Sequence, residues 1–214
     1  DAALTAMLAG VERRDDPDAM LHAAAASAQD AVLQVPAGDT NASSTLVAAI
    51  ARRARGGTEL AIGWLGDSRA YWVGADATML TADHSWANEM MASGALTEAE
   101  ARAHPHAHTI TRWIGADATD VVPQTTTFHT TQPGRLLVCS DGLWNYEPEA
   151  GPLAARPEWR QATAIDQAVA LTAFANEAGG HDNITTVIAS FDEAPHVMDS
   201  KAAPEGEGNG RVQG

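Results

Sequence analysis

Three aspartates stand at the ends of apolar runs, where a side chain can leave a hydrophobic core and still be held by packing. Asp67 lies in the GDS break between the apolar residues 60–65 and 71–73, which predicts a hairpin with Asp67 near its tip. Asp141 follows the run RLLVCS, which predicts a buried strand that ends in a sharp turn. Asp182 stands just before a β-branched run, ITTVIASF, that predicts another strand.

Carboxylates that converge on one edge of a sheet assembly would form a site for a hard divalent cation. Mg²⁺ and Mn²⁺ prefer oxygen ligands from carboxylates, carbonyls and water. A turn or a helix cap is the simpler interpretation of each aspartate taken alone, because Asp is common in both places. Only the set of three favours a metal site.

Four motifs carry a resemblance to a known family: GDSR, TADHS, SDGLW and GHDNIT, which begin at residues 66, 81, 140 and 180. In this order and spacing they resemble the metal-dependent (type 2C) protein serine/threonine phosphatases, and the bacterial branch most closely. The resemblance runs from about residue 2 to residue 191. It implies an α+β fold, with two packed antiparallel β-sheets flanked by helices on the outer faces.

The resemblance also implies roles for the aspartates. Asp141 and Asp182 would be catalytic metal ligands of a core site, Asp67 would hold a further, looser ion, and Ser140 and Asn183 would support these ligands. The cofactors would be two or three ions of Mn²⁺ or Mg²⁺, which lower the pKa of a shared water toward roughly 7. The partners would be phosphorylated proteins, serine/threonine kinases and their substrates among them.

One departure from the family pattern bears on activity. Family members begin with two strands that carry a phosphate-binding Arg and an Asp-Gly pair whose Asp bridges two metals, and no such pattern precedes the first helix here. We therefore expect a domain that lacks its first strands, with weak metal binding and little turnover from these 214 residues alone. The alternative is a non-catalytic phosphatase-like module that binds phosphoproteins or a kinase.

The elements that must position these residues follow from periodicity and capping. Helices are predicted over 1–10 and 19–35, and a strand over 45–50. A capping box at Thr97 and Glu100 predicts a short helix. Further predictions are an extended segment 121–128, a loop around Pro148, Gly151, Pro152 and Pro157, and a helix 165–178 with Ala168, Val169, Leu171, Thr172 and Ala175 inward.

The resemblance implies one phosphatase-like domain over 1–191, with a flap at 82–115 that would select among phosphoprotein partners. Residues 192–214 are rich in Gly, Glu and Pro and are predicted to form a disordered acidic tail. The basic segment of Arg52, Arg53 and Arg55 is interpreted as a solvated turn.

A competing metal site is conceivable at the histidines. His104, His106 and His108 alternate, and with His84 they would suggest a zinc hydrolase. Alternating residues share a face only on a strand, and Pro105 together with the capped helix before it disfavours a strand here. An exposed turn is therefore the better interpretation.

Composition excludes several classes of partner. A net charge of −15 argues against nucleic-acid and acidic-membrane partners, because phosphate surfaces would repel the chain. The single cysteine, Cys139, lies in an apolar run, is expected to be a buried structural thiol and fits a reducing, cytoplasmic location. There is no signal-peptide pattern and no apolar run near the roughly 18 residues that span a bilayer.

Overall fold

The structure is a computed structural model that describes residues 1–35, 42–54, 56–161 and 163–191. The α-helices are α1 (Ala2–Arg13), α2 (Pro17–Leu33), α3 (Trp86–Ala92), α4 (Glu98–Ala103), α5 (Asp141–Trp144), α6 (Ala150–Ala155) and α7 (Ala164–Glu177), with a 3₁₀ helix at Pro157–Arg160. The strands are β1 (Ser43–Ser44), β2 (Leu46–Ala54), β3 (Gly57–Leu65), β4 (Arg69–Val73), β5 (Ala77–Met79), β6 (Ile114–Gly115), β7 (Gln124–Thr130), β8 (Gly134–Cys139) and β9 (Thr186–Phe191).

Two antiparallel sheets organise these strands. The front sheet has the strand order β2-β3-β7, and the back sheet has the order β5-β4-β8-β9. The two-residue strands β1 and β6 form a separate pair. The predicted α+β class with two antiparallel sheets and outer helices is confirmed.

The main hydrophobic core lies between the two sheets. Along β4, Ala70 and Trp72 join the core that contains Leu60 and Ile62 of β3, whereas Tyr71 points to the other face of the back sheet. This alternation follows from the two-residue period of a strand. Because both of its faces are covered, every residue of β4 is buried.

Helices cover the outer faces of both sheets. Helix α2 packs on the front sheet so closely that a Cβ at Gly63 would lie 3.1 Å from the Leu21 side chain, and α1 packs on α2. On the back sheet, Leu143, Leu153 and Leu171 of α5, α6 and α7 form a second core with Tyr71. Within the described residues, no helix combines the length and apolar character needed to cross a bilayer.

The predicted hairpin around Asp67 is wrong. The two strands that flank it, β3 and β4, belong to different sheets, and the chain crosses from the front sheet to the back sheet at this point. Strand β3 pairs with β2 and β7, and β4 pairs with β5 and β8, so neither strand has a free edge for the other. Asp67 therefore lies at a crossing between the sheets.

Other local predictions were corrected in detail. The predicted loop around Pro152 contains α6 and the 3₁₀ helix, because Leu153 and Trp159 pack into the second core. Val169 of α7 is 61% exposed, so its place on the inner face was wrong. Arg52 and Arg53 lie in strand β2 rather than in a turn.

Several predictions agree with the structure, and two lie outside it. The structure contains both N-terminal helices, the strand before Asp141, the buried thiol of Cys139 and the capping box of Thr97 and Glu100. The strand after Asp182 begins at Thr186, two residues later than predicted. Arg55 and the predicted tail 192–214 lie outside the described residues.

The predicted flap segment 82–115 forms a small unit with its own apolar cluster. The buried residues of this cluster are Ala87, Ala101 and Ala107, and Trp86 and other partly buried side chains pack around them. Its base is closed by the bridge between Ser85 and Ile110. The role of this segment as a flap stays a prediction.

Candidate metal centre

Asp67 lies in the turn of residues 66–69, which is called the Asp67 turn below and connects β3 to β4. Gly66 has a φ of +100°, and a Cβ there would lie 2.4 Å from the Thr45 methyl group. Both the backbone conformation and the space therefore require glycine. On the other side, the indole N–H of Trp144 donates to the Asp67 carbonyl oxygen at 2.9 Å. The turn is thus fixed against two other segments of the chain.

Asp141 is the first residue of α5, so a short helix replaces the sharp turn predicted after β8. Ser140 occupies the N-cap position, but its side chain makes no capping hydrogen bond. Its hydroxyl donates to the Asn183 carbonyl oxygen and accepts from the Thr185 N–H, both at 3.0 Å. Ser140 therefore joins the start of α5 to the loop that carries Asp182.

Asp182 lies in an exposed loop that leads into β9. Its carboxylate accepts from the Asn183 N–H at 2.7 Å, and the neighbouring His181 N–H donates to the Tyr146 hydroxyl at 3.0 Å. A Cβ at Gly142 would lie 2.4 Å from the Asn183 carbonyl oxygen. The missing side chain at position 142 thus lets α5 rest directly on the backbone of this loop.

The electrostatics place the three aspartates in one neighbourhood. Burial, together with the smaller effect of the carboxylates of Asp141 and Asp83, raises the pKa of Asp67 to about 6. Burial, and then the carboxylate of Asp182, also raise the pKa of Asp141. Asp141 is therefore close enough to each of the other two for the carboxylates to repel one another. The predicted convergence of Asp67, Asp141 and Asp182 agrees with this arrangement.

The donor chemistry of this neighbourhood fits a hard divalent cation. Half-buried carboxylates that repel one another gain most from a cation placed between them, and oxygen is the ligand that Mg²⁺ and Mn²⁺ prefer. In the part of the chain that the structure describes, however, no three His, Cys, Asp or Glu side chains close around one ion site. Asp67, Asp141 and Asp182 fit a cation by type, as an open set that leaves positions for other ligands.

The competing histidine site is not supported by the structure. His84 is buried and its Nδ1 lies 3.1 Å from the Gly66 N–H, so this nitrogen accepts a hydrogen bond and is not free for zinc. His104 stacks on Trp86 with ring centroids 4.1 Å apart, and His106 lies beside it. Among the residues that the structure describes, no three of these histidines come together as a set that could hold one metal ion.

Sequence reasoning assigned no role to two charged residues next to the Asp67 turn. Arg69 and Asp83 form an ion pair at 2.8 Å, and their side chains are only 10% and 11% exposed. The signal was available, because Arg69 is a charged residue inside a strand that is otherwise apolar. A charge buried in such a strand requires a partner.

The chain is similar to proteins that are named as phosphatases. The chain is 37% identical over 135 residues to protein phosphatase PhpP of Streptococcus pneumoniae, which covers 60% of the chain and 52% of that protein. It is 35% identical over 151 residues to serine/threonine phosphatase stp of Listeria innocua, which covers 68% of the chain and 55% of that protein. The PPM Ser-Thr phosphatase MsPP of Mycobacterium smegmatis has a similar solved structure, with a TM-score of 0.67, 28% identity and coverage of 90% of the chain and 81% of MsPP.

The chain is therefore similar in sequence to bacterial serine/threonine phosphatases and similar in fold to a PPM Ser-Thr phosphatase. It spans about half the length of the curated relatives that it matches. No family model matches the chain. A further structure of this fold, the catalytic domain of PstP in complex with two manganese ions, matches with a TM-score of 0.61 and 24% identity over 89% of the chain and 81% of that domain.

The similarity to these phosphatases gives the three aspartates a common context. Asp141 begins α5 and Asp182 lies in the loop before β9, and contacts of Ser140 and Gly142 join this helix and this loop at the same edge of the back sheet. Asp67 reaches this edge from the crossing between the sheets. The assignment of these residues as ligands stays a prediction.

Proposed function

We propose that this type 2C domain hydrolyses phosphoserine and phosphothreonine in proteins, with water activated by divalent cations. The observation that carries the proposal is the proximity of carboxylates from distant parts of the chain. After burial, the carboxylate of Asp141 is the next cause that raises the pKa of Asp67, and the carboxylate of Asp182 is the next cause that raises the pKa of Asp141. Mutual repulsion of this kind is costly in a structural role and useful in a metal site. The relatives named as serine/threonine phosphatases support the choice of reaction.

In this proposal, Asp141 and Asp182 hold the cations of the core site, and Asp67 holds a further ion. Bound Mn²⁺ or Mg²⁺ would supply Lewis acidity toward the phosphoryl oxygens and would lower the pKa of water. The protein supplies no nucleophile of its own in this site. Burial raises the pKa of the Cys139 thiol to about 12, so this thiol stays protonated at neutral pH.

The first experiment measures hydrolysis of p-nitrophenyl phosphate with Mn²⁺ by the chain and by its Asp141→Asn variant. Because Asp141 is close to both of the other carboxylates, its loss is expected to lower the Mn²⁺-dependent rate about 100-fold or more. The matched control is Asp76→Asn, which changes an exposed carboxylate in the β4–β5 turn and is expected to keep the rate. A Mn²⁺-dependent rate that survives in Asp141→Asn would contradict the proposal.

A second candidate function is a phosphatase-like module that binds phosphoproteins or a kinase without turnover. It is favoured by the open ligand set, because within the described residues no three side chains close around an ion. Adding a chelator distinguishes the two functions. The module is expected to bind a phosphothreonine peptide equally well with EDTA and with Mn²⁺ and to release no phosphate, whereas the enzyme releases phosphate only with Mn²⁺.

Partners and location complete the proposal. Phosphorylated serine/threonine kinases and their substrates are the proposed partners in bacterial signalling, with residues 82–115 as the segment that selects among them. The proposed location is the cytoplasm, and the net charge of −15 supports partners other than nucleic acids and acidic membranes. Measuring the release of phosphate from an autophosphorylated kinase would test the proposed partner. Repeating the measurement after residues 82–115 are exchanged for those of a relative would test the flap.

A further inference from the structure

We propose that Arg69 and His84 are positioning residues that hold the Asp67 turn in the geometry needed for cation binding. This inference rests on the proposed function, because it assigns Asp67 to the cation site. Neither residue would contact a cation or substrate itself. Each would act by fixing one end of residues 66–69, and the observations for the two ends are independent.

Arg69 fixes the end of the turn where β4 begins. Its Nε and Nη2 donate to the two carboxylate oxygens of Asp83 at 2.9 Å and 2.8 Å. Its Nη1 donates to the Tyr71 hydroxyl at 3.1 Å and to the Pro148 carbonyl oxygen at 3.0 Å. All three guanidinium nitrogens are therefore engaged, and the fork has one orientation only.

The same guanidinium contacts the helix that begins with Asp141. It lies 3.6 Å from the centre of the Trp144 ring, and the indole N–H of Trp144 donates to the Asp67 carbonyl oxygen. Arg69 thereby connects two of the three aspartates through one aromatic side chain. A Lys at this position would keep the charge but not the fork or the stacking.

His84 fixes the other end of the turn through Gly66. The His84 N–H donates to the Gly66 carbonyl oxygen at 2.9 Å, and the Gly66 N–H donates to Nδ1 of His84 at 3.1 Å. Because the backbone N–H can only donate, Nδ1 carries no proton, and the proton of the neutral ring sits on Nε2. Nε2 donates to Gln124 Oε1 at 3.2 Å, and Nη1 of Arg112, which is itself a donor, also lies 3.2 Å from Nε2. Burial, and then Arg112, keep the pKa of His84 below its ordinary value, which agrees with a neutral ring.

Asp83 and His84 are neighbours in the chain, so one short segment clamps both ends of the Asp67 turn. The clamp works against the repulsion that Asp67 feels from Asp141 and Asp83. A buried ion pair such as Arg69–Asp83 is a weak source of stability, because the cost of removing both charges from water offsets their attraction. A role in geometry is therefore the better account of its presence next to the candidate ligand.

The test compares Arg69→Lys and His84→Leu with the unchanged chain at a series of Mn²⁺ concentrations. Both variants are expected to raise the half-saturating Mn²⁺ concentration for p-nitrophenyl phosphate hydrolysis about 10- to 100-fold, with kcat at saturating Mn²⁺ within about threefold. His84→Asn, which places an amide oxygen near the position of Nδ1, is expected to restore most of the affinity. A merely structural role would lower the amplitude at every Mn²⁺ concentration and leave the midpoint unchanged.

The matched control is Arg156→Lys. Arg156 also presents a fork to a carboxylate, that of Glu158, and stacks at 3.2 Å on the Phe174 ring, but it contacts no residue of the Asp67 turn. Its substitution is expected to leave the Mn²⁺ midpoint unchanged. Equal shifts in Arg69→Lys and Arg156→Lys would overturn the proposal.

A second readout is independent of turnover. Mn²⁺ bound near Asp67 is expected to broaden the backbone amide resonances of residues 66–69, and more Mn²⁺ is expected to be needed in Arg69→Lys and His84→Leu. If the unchanged chain shows this broadening without hydrolysis and both variants need more Mn²⁺ for it, the proposed function fails and the positioning role stands. Unchanged broadening in both variants, or none in the unchanged chain, overturns the positioning role.

Discussion

The Asp67 turn and the Asp182 loop bring carboxylates to the same place by different means. The Asp67 turn is held by buried side chains on both of its ends, through Arg69 and His84. The Asp182 loop is exposed, and its contacts are single hydrogen bonds to backbone groups together with the packing of Gly142 beneath it. One carboxylate is thus fixed by the core, and the other by the loop's own backbone.

The difference indicates how the two regions would respond to a cation. A ligand on a rigid turn is already in place, so little conformational entropy is lost when it binds. A ligand on an exposed loop must be ordered at the moment of binding, and its affinity depends on the few contacts that hold the loop. We therefore expect changes at the Asp182 loop to act through local packing, and changes at the Asp67 turn to act through charge and orientation.

The largest effect is expected from Gly142→Ala, which tests the packing under the Asp182 loop. The added Cβ would lie 2.4 Å from the Asn183 carbonyl oxygen, a backbone atom that cannot move without displacing the loop. The free energy of unfolding is expected to fall by about 2–3 kcal/mol, and Mn²⁺-dependent hydrolysis to be lost with it. Thermal and urea unfolding measure the first quantity, and the p-nitrophenyl phosphate assay measures the second.

Gly151→Ala provides the control for this change. Gly151 lies in α6, and a Cβ there would meet nothing within 4 Å. Because Ala favours a helix over Gly, the variant is expected to gain about 0.5–1 kcal/mol. If both variants were equally stable, the loop would not depend on the close approach of α5.

A smaller effect is expected from Ser140→Ala, which removes the hydroxyl that joins α5 to the Asp182 loop. Two hydrogen bonds at 3.0 Å are lost, but water can replace them because the site is exposed. The free energy of unfolding is expected to fall by about 1 kcal/mol. Hydrogen exchange at the Thr185 amide is expected to accelerate, whereas Ser190→Ala, on an exposed part of β9, should leave that rate unchanged.

Local patterns in the sequence predicted most elements, because their causes are local. The capping box at Thr97 and Glu100 needs only neighbouring residues, and both of its hydrogen bonds are present. The strand before Asp141 was visible as an apolar run, and the helix that starts at Asp141 was hidden because Asp-Gly is also the commonest turn pair. Val169 was placed inward by periodicity alone, although the helix face that α7 presents to the sheet is narrower than its apolar stripe.

The predictions that failed depend on contacts between distant parts of the chain. An apolar run, a GDS turn and a second apolar run describe a hairpin and a crossing between sheets equally well, and only the pairing of β3 with β2 and β7 decides between them. The clamp on Asp67 was missed for the same reason. Arg69 and Asp83 are 14 positions apart, and no local period brings them together.

The smallest effect, and the only stabilising one near the site, is expected from Asp67→Asn in the presence of EDTA. Burial and neighbouring carboxylates raise the pKa of Asp67 from 3.8 to about 6, so the folded chain holds this proton more tightly than the unfolded chain does. Ionisation of Asp67 therefore lowers stability fully above pH 6 and not at all below its ordinary pKa. Removing the charge is expected to raise the free energy of unfolding by about 0.5–1 kcal/mol at pH 8, a value reduced because water screens part of the repulsion.

Unfolding measured from pH 8 down to pH 3.5 would show the gain in Asp67→Asn shrinking as the pH falls through 6, the folded-state pKa. Asp76→Asn, which neutralises an exposed carboxylate, is expected to show no such dependence. The same Asp67→Asn variant is expected to bind Mn²⁺ more weakly. The negative charge that repels the neighbouring carboxylates in the metal-free turn is the charge that would attract a cation, and the variant lacks it. If the variant lost stability at pH 8, or gained the same stability at every pH, the charge of Asp67 would not destabilise the turn. Changes at the Asp67 turn would then act through packing alone, like those at the Asp182 loop.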